Sequence, residues 1–113
     1  MDDPDALRSV ACAVIERAVR DMRMRGVTTG SKWKVIDDFR CYVNATVWLG
    51  SSKAAIYMDA VGLEQLDVLY AIKWREHAEE MIDNPDAFSL LTHDDINLLY
   101  MSIDRLKPGR RLR

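Results

Sequence analysis

Apolar residues recur at intervals of three and four along nearly the whole chain, and this spacing predicts helices. The first helix is expected over residues 4–25, with Leu7, Ala11, Val14, Ile15, Ala18 and Met22 on one stripe. Glu16, Arg20 and Arg23 fall on its outer side. A second runs from Ser31 to Leu49, with Trp33, Ile36 and Val43 inward and Phe39 or Arg40 between them. A short third follows to Val61, with Ala54, Ala55, Met58 and Val61 facing a neighbour. Next comes a long fourth helix to about Ile82, with Leu66, Tyr70, Trp74, His77 and Met81 on one face. Val68, Ala71 and Ile72 widen the apolar surface of its first half, which marks that half as central. The last helix carries Ile96, Leu99, Tyr100, Ile103 and Leu106. No segment alternates with period two between turn signals, so strands are not expected. The pattern predicts an all-α, single-domain irregular or orthogonal bundle of about five helices over 1–106.

The breaks between these stripes carry their own chemistry. Asp3-Pro4 suits a helix start, and Gly26 a stop. Residues 26–31, GVTTGS, read as a loop. Gly50 ends the second helix and Ser51 or Ser52 caps the third. Gly62 ends that one, with Leu63 anchoring the turn. Asn84, tolerant of a left-handed cap, and Pro85 stop the long helix. Phe88, Leu90 and Leu91 fill a connector, and Thr92 with Asp95 forms a capping box. A short helix, a Gly turn and a longer helix give the centre a helix-turn-helix-like layout.

Charge changes the picture more than composition does. The 113 residues are ordinary globular usage, with a net charge of −2. Residues 1–53 hold nine Lys/Arg against seven Asp/Glu, residues 54–106 three against eleven, and residues 107–113 four against none. The chain is bipolar, with an acidic middle and basic ends, and residues 107–113 read as a basic tail. No apolar run approaches bilayer length, and the acidic start (Asp2, Asp3, Asp5) is unlike a signal peptide, so no membrane contact and a cytoplasmic location are expected. Cys12 and Cys41 are then expected as buried thiols.

Catalytic and metal chemistry find little support in the residue pattern. His77 and His93 are isolated, with no paired cysteines or HExxH, so no metal or cofactor is implied. His77 fits a half-buried core histidine and His93 a surface residue. Gly50-Ser51-Ser52-Lys53 lacks the spacing of a phosphate loop, and helix capping explains both serines. Asp37/Asp38 and Asp94/Asp95 diverge as neighbours on helices. No nucleophile elbow or local cysteine signature is present. The expectation is that the chain is not an enzyme.

Binding remains, and two surfaces qualify. The helix-turn-helix itself fits DNA poorly, because the start of its second helix offers Glu64, Gln65 and Asp67 to phosphate. Two packed core helices joined by a Gly turn are the plainer reading. A basic surface for DNA or a host nucleoprotein would comprise Arg17, Arg20, Arg23, Arg25, Lys32 and Lys34, with Lys107, Arg110, Arg111 and Arg113 from the tail. An acidic surface for a protein partner would comprise Glu64, Asp67, Glu76, Glu79, Glu80 and Asp83. A third option is a homodimer burying Trp48, Tyr57 and Trp74.

Trp48-Leu49-Gly50-Ser51, then Met58-Asp59, then Val61-Gly62-Leu63-Glu64, resembles a pattern in small phage and prophage proteins of proteobacteria. Residues 15–21, IERAVRD, are similar to their first helix. The resemblance covers about residues 13–73 and departs at Ala54, where an aromatic is common, and at Gln65, where Pro is common. It implies a mobile-element origin and little about mechanism, since most such proteins have no known function. The combined expectation is an accessory or regulatory protein acting by binding. Its target is DNA through the basic surface or, alternatively, a host nucleic-acid-binding machine that the acidic face inhibits as a phosphate mimic.

Overall fold

A computed structural model of the chain describes residues 4–24 and 32–106. These form seven helices and no strand: α1 (Pro4–Met24), α2 (Lys32–Leu49), α3 (Ser52–Ala60), α4 (Gln65–Ala71), α5 (Trp74–Asp83), α6 (Pro85–Phe88) and α7 (His93–Arg105). The fold is all-α, as the spacing predicts. The expected loop 26–31, including the Ser31 cap, and the tail 107–113 lie outside the described residues. None of the described helices is long and apolar enough to cross a membrane.

α2 is the central element. It packs against α1, α3, α5 and α7, while α1 packs on α2 and α3, and α5 packs on α2, α4, α6 and α7. The core joins Ile15, Ala18 and Met22 of α1 to Val43 and Leu49 of α2. Met58, Leu69, Trp74, Met81 and Leu99 complete it, each fully buried. α1 enters this core only from Ala11 onward. Its residues 5–10 are exposed, so Leu7, expected inside, is 55% exposed.

The end of α2 explains much of the packing. The last carbonyls of any helix lack partners within it, and a buried end must find donors elsewhere. Here they come from three later elements. Trp74 Nε1 of α5 donates to Thr46 O at 2.8 Å. Gln65 Nε2 of α4 donates to Leu49 O at 3.0 Å and to Ser51 O at 2.9 Å. Ser102 Oγ of α7 donates to Gly50 O at 3.3 Å. Ser51 Oγ closes the turn, donating to Trp48 O at 2.6 Å and accepting from Ala54 N at 3.2 Å.

Gly50 is required for space. A Cβ there would lie 2.7 Å from Cζ2 of Trp74, and that indole is fully buried. Gly62 is required for conformation, at φ 79°. Around it Leu63 N donates to Met58 O and Gly62 N to Asp59 O, the paired bonds of a Schellman turn. The backbone alone anchors this turn, because Leu63 is 44% exposed rather than packed.

The expected long fourth helix is in fact two. It breaks at Ile72 and Lys73, where Lys73 takes left-handed angles, φ 58° and ψ 39°. Leu69 and Trp74 are both fully buried, yet five positions apart they would face about 140° away from each other on one helix. The break turns both inward. It also moves Tyr70, expected on the inner face, to 49% exposure. Beyond it Trp74, His77, Ala78 and Met81 form a wholly buried stripe. α4 is thus only seven residues long, and the centre is two short packed helices with a Gly turn.

The remaining connection is also helical. Asn84 is extended rather than left-handed, and its side chain accepts from Asp86 N and Ala87 N to cap α6. The expected capping box of α7 forms: Asp95 N donates to Thr92 Oγ1 at 3.1 Å, and Thr92 N to Asp95 Oδ2 at 3.0 Å. α7 buries Leu99, Ser102 and Ile103, but Tyr100, assigned inward by spacing, is 54% exposed.

Two substitutions test this account by urea unfolding followed through tryptophan fluorescence. Gly50→Ala is expected to lower stability by about 1–3 kcal/mol, because its methyl must displace a fully enclosed indole. Lys73→Gly is expected to raise it by up to about 1 kcal/mol, because the left-handed backbone no longer carries a Cβ.

Candidate functional site

The structure divides the two charged surfaces by helix. Arg17, Arg20 and Arg23 are all exposed on α1 and wind over about a third of its circumference. Arg17 lies 3.9 Å from Asp21, which partly neutralises it. Arg25, Lys107, Arg110, Arg111 and Arg113 lie outside the described residues, as do the side chains of Lys32 and Lys34. Only three of the ten predicted basic residues can therefore be placed.

The six predicted acidic residues are all described and all exposed. Glu76, Glu79, Glu80 and Asp83 occupy positions i, i+3, i+4 and i+7 of α5, so they share one face. That face lies opposite the buried stripe of Trp74, His77, Ala78 and Met81. The packing that fixes α5 therefore also fixes the direction of its carboxylates. Asp67 belongs to α4 and Glu64 stands at its N-cap, on the far side of the break, and neither extends this stripe. Arg75 lies 3.4 Å from Glu79 and pairs with it.

The acidic stripe borders a cleft between α5 and α7. Near one end a depression of about 230 Å³ is lined by Leu69, Tyr70, Lys73, Arg75, Glu76, Glu79 and Leu106. Near the other, one of about 450 Å³ is lined by Glu79, Ile82, Asp83, Tyr100 and Ile103. Glu79 belongs to both. Glu76 and Glu79 share one depression with Leu106, and Glu79 to Asp83 share the other with Tyr100 and Ile103, so α5 and α7 run antiparallel here. Apolar residues line both depressions, the α5 wall is mixed in charge at the Tyr70 end and acidic at the Tyr100 end, and an exposed tyrosine stands near each end. Sequence spacing turned both tyrosines inward. The pairing of α5 with α7 is a tertiary fact that no local pattern announces.

Other candidates resolve differently. Gln65, offered to solvent by the helix-turn-helix reading, is 7% exposed and committed to Leu49 O and Ser51 O, so α4 does not present a recognition surface there. Trp74 is fully buried and cannot serve a dimer surface, while Trp48 and Tyr57 are half-buried and stack edge-on at 5.6 Å. His77 is buried, with its ring edge-on to Tyr42 at 6.2 Å. Ser51 is occupied as a cap, which accounts for it without a phosphate. No group of three metal-ligating side chains occurs among the described residues.

The cysteines depart from expectation. Cys12 and Cys41 are free and exposed. Cys12 falls outside the α1 stripe of Ala11, Ile15, Ala18 and Met22. Cys41 lines a shallow groove between α1 and α2, with Val14, Arg17, Asn44 and Trp48. Helical position outweighs the general tendency of thiols to be buried.

No family model, curated protein or solved structure matches the chain. The functional reading therefore rests on the arrangement of its own residues.

Thiol accessibility checks the placement of α1 and α2. Both cysteines should react with Ellman's reagent in native buffer, at rates close to those in denaturant. Protection of either thiol until the protein unfolds would contradict the exposed faces assigned to these helices.

Proposed function

We propose that this chain is a non-catalytic phage or prophage accessory protein that works by presenting the acidic face of α5 to a basic protein surface. The observation that carries this reading is the alignment of Glu76, Glu79, Glu80 and Asp83, all exposed, on a helix whose opposite stripe is wholly buried. A helix packed in this way keeps the backbone spacing of its carboxylates when a partner arrives, so binding has only the side chains themselves to order. A host nucleic-acid-binding protein has the matching chemistry, because its own site is built to meet closely spaced negative charge. The mobile-element origin is supported by the resemblance of residues 48–64 to small phage and prophage proteins.

A second reading keeps DNA as the target, through α1. It is favoured by the exposure of Arg17, Arg20 and Arg23 along one helix. The acidic α5 and the arginine-bearing α1 each pack mainly on other helices, and both lie against α2. The two surfaces can therefore be tested separately.

The test is fluorescence anisotropy with an arginine-rich peptide and with duplex DNA, each over a salt series. The peptide is expected to bind, and Glu76→Lys/Glu79→Lys/Glu80→Lys to weaken it about tenfold or more. Reversal of Glu16, Asp37 and Asp59, which are also exposed, should leave it nearly unchanged. Equal losses from both sets would reduce the effect to net charge and sink the proposal. DNA binding that weakens with salt, and with Arg20→Glu/Arg23→Glu, would put the second reading in its place.

A further inference from the structure

The cleft between α5 and α7 carries more information than the acidic stripe beside it. Its depressions are open, so they suit a side chain laid in from a partner better than an enclosed small molecule. Its apolar lining comes from Ile82 of α5, Ile103 of α7 and Leu106 at the C-cap of α7, with Leu69 of α4 at one end. Tyr70 and Tyr100, 49% and 54% exposed, flank it with large, stiff, amphipathic rings. Such rings add contact area with few torsions to immobilise.

The charges along the cleft are uneven, and that gives direction. Lys73 and Arg75 accompany Glu76 and Glu79 at the Tyr70 end. At the Tyr100 end Glu79 and Asp83 are the charged lining residues. Negative potential is therefore concentrated beside Tyr100. From Glu76 to Asp83, α5 advances seven residues, or about 10 Å, which is two helical turns.

We infer that this cleft is a docking groove for a short, basic, amphipathic helix of a partner protein. The helix lays a large apolar side chain between Tyr70 and Tyr100 and directs Lys or Arg toward Glu79 and Asp83. This deepens the acidic-face reading and rests on it, by naming the partner chemistry that the face receives. The mode is a helix in a groove, with apolar anchors supplying grip and carboxylates selecting charge. An incoming arginine competes with Arg75 for Glu79, so formation of the complex exchanges one ion pair for another. Phosphate-bearing ligands are disfavoured by the same carboxylates.

Two labelled helical peptides of equal charge decide the matter by anisotropy. One carries Leu and Trp one turn apart among arginines, and the other has Ser at those two places. Each is titrated against the intact protein and against a form ending at Leu106. The apolar peptide is expected to bind both forms about tenfold or more tightly than the Ser peptide. Tyr100→Ala is expected to remove that preference and Asp83→Lys to weaken both peptides, with unfolding curves confirming that each variant folds. Equal affinity of the two peptides for the wild-type protein would overturn the groove while leaving the acidic face standing. Binding of neither would overturn both. Binding of the apolar peptide only after truncation would assign the groove to the chain's own basic residues 107–113 and so overturn the partner helix.

Discussion

A buried helix end must satisfy its carbonyls, and the end of α2 is buried. That requirement organises the molecule. Each carbonyl left without a donor in the core would cost about 1–3 kcal/mol, a large part of the stability of a small domain. The donors are Trp74, Gln65 and Ser102, one each from α5, α4 and α7. Three helices are thereby tied to one stretch of backbone. Gly50 is the steric counterpart, since only a residue without a side chain lets the Trp74 indole lie against the turn.

From this clasp the charged surfaces follow. α1 and α5 attach to adjacent faces of α2. Cys41, Ala45 and Trp48 share a groove with α1, whereas Tyr42 and Thr46 meet His77 and Trp74 of α5. Each of these α2 sets is offset from the other by one residue, about 100° around the helix. The arginines of α1 and the carboxylates of α5 are thus carried outward from a common axis. Among the described residues, the acidic row of α5 and the three arginines of α1 thus stand on separate helices.

Much of the helical plan was legible because it is local. Stripes at three and four residues located α1, α2, α3 and α7. Ser51, Gly62 and the pair of Thr92 and Asp95 marked boundaries through chemistry contained within four or five residues. The acidic stripe was legible for the same reason. The break at Lys73 was not, since neither Gly, Pro nor Asn marks it, and tertiary packing of Leu69 and Trp74 overrides the local preference for a continuous helix. Burial of Gln65 was hidden because polar residues usually face water, and its partners lie 16 and 14 residues earlier. The cleft was hidden because it belongs to two helices jointly.

The same clasp bears on how the chain is made. Gly50 O waits for a serine 52 residues further on. Thr46 O waits 28 residues for its indole. During synthesis, α1, α2 and α3 emerge with their own apolar stripes and caps, but the end of α2 stays short of donors until α7 has cleared the ribosome. Contacts of such separation form late and together. A nascent chain of this sequence cannot complete the junction until Ser102 is free to reach Gly50. Truncated products would leave the junction open to water, to proteases and to aggregation.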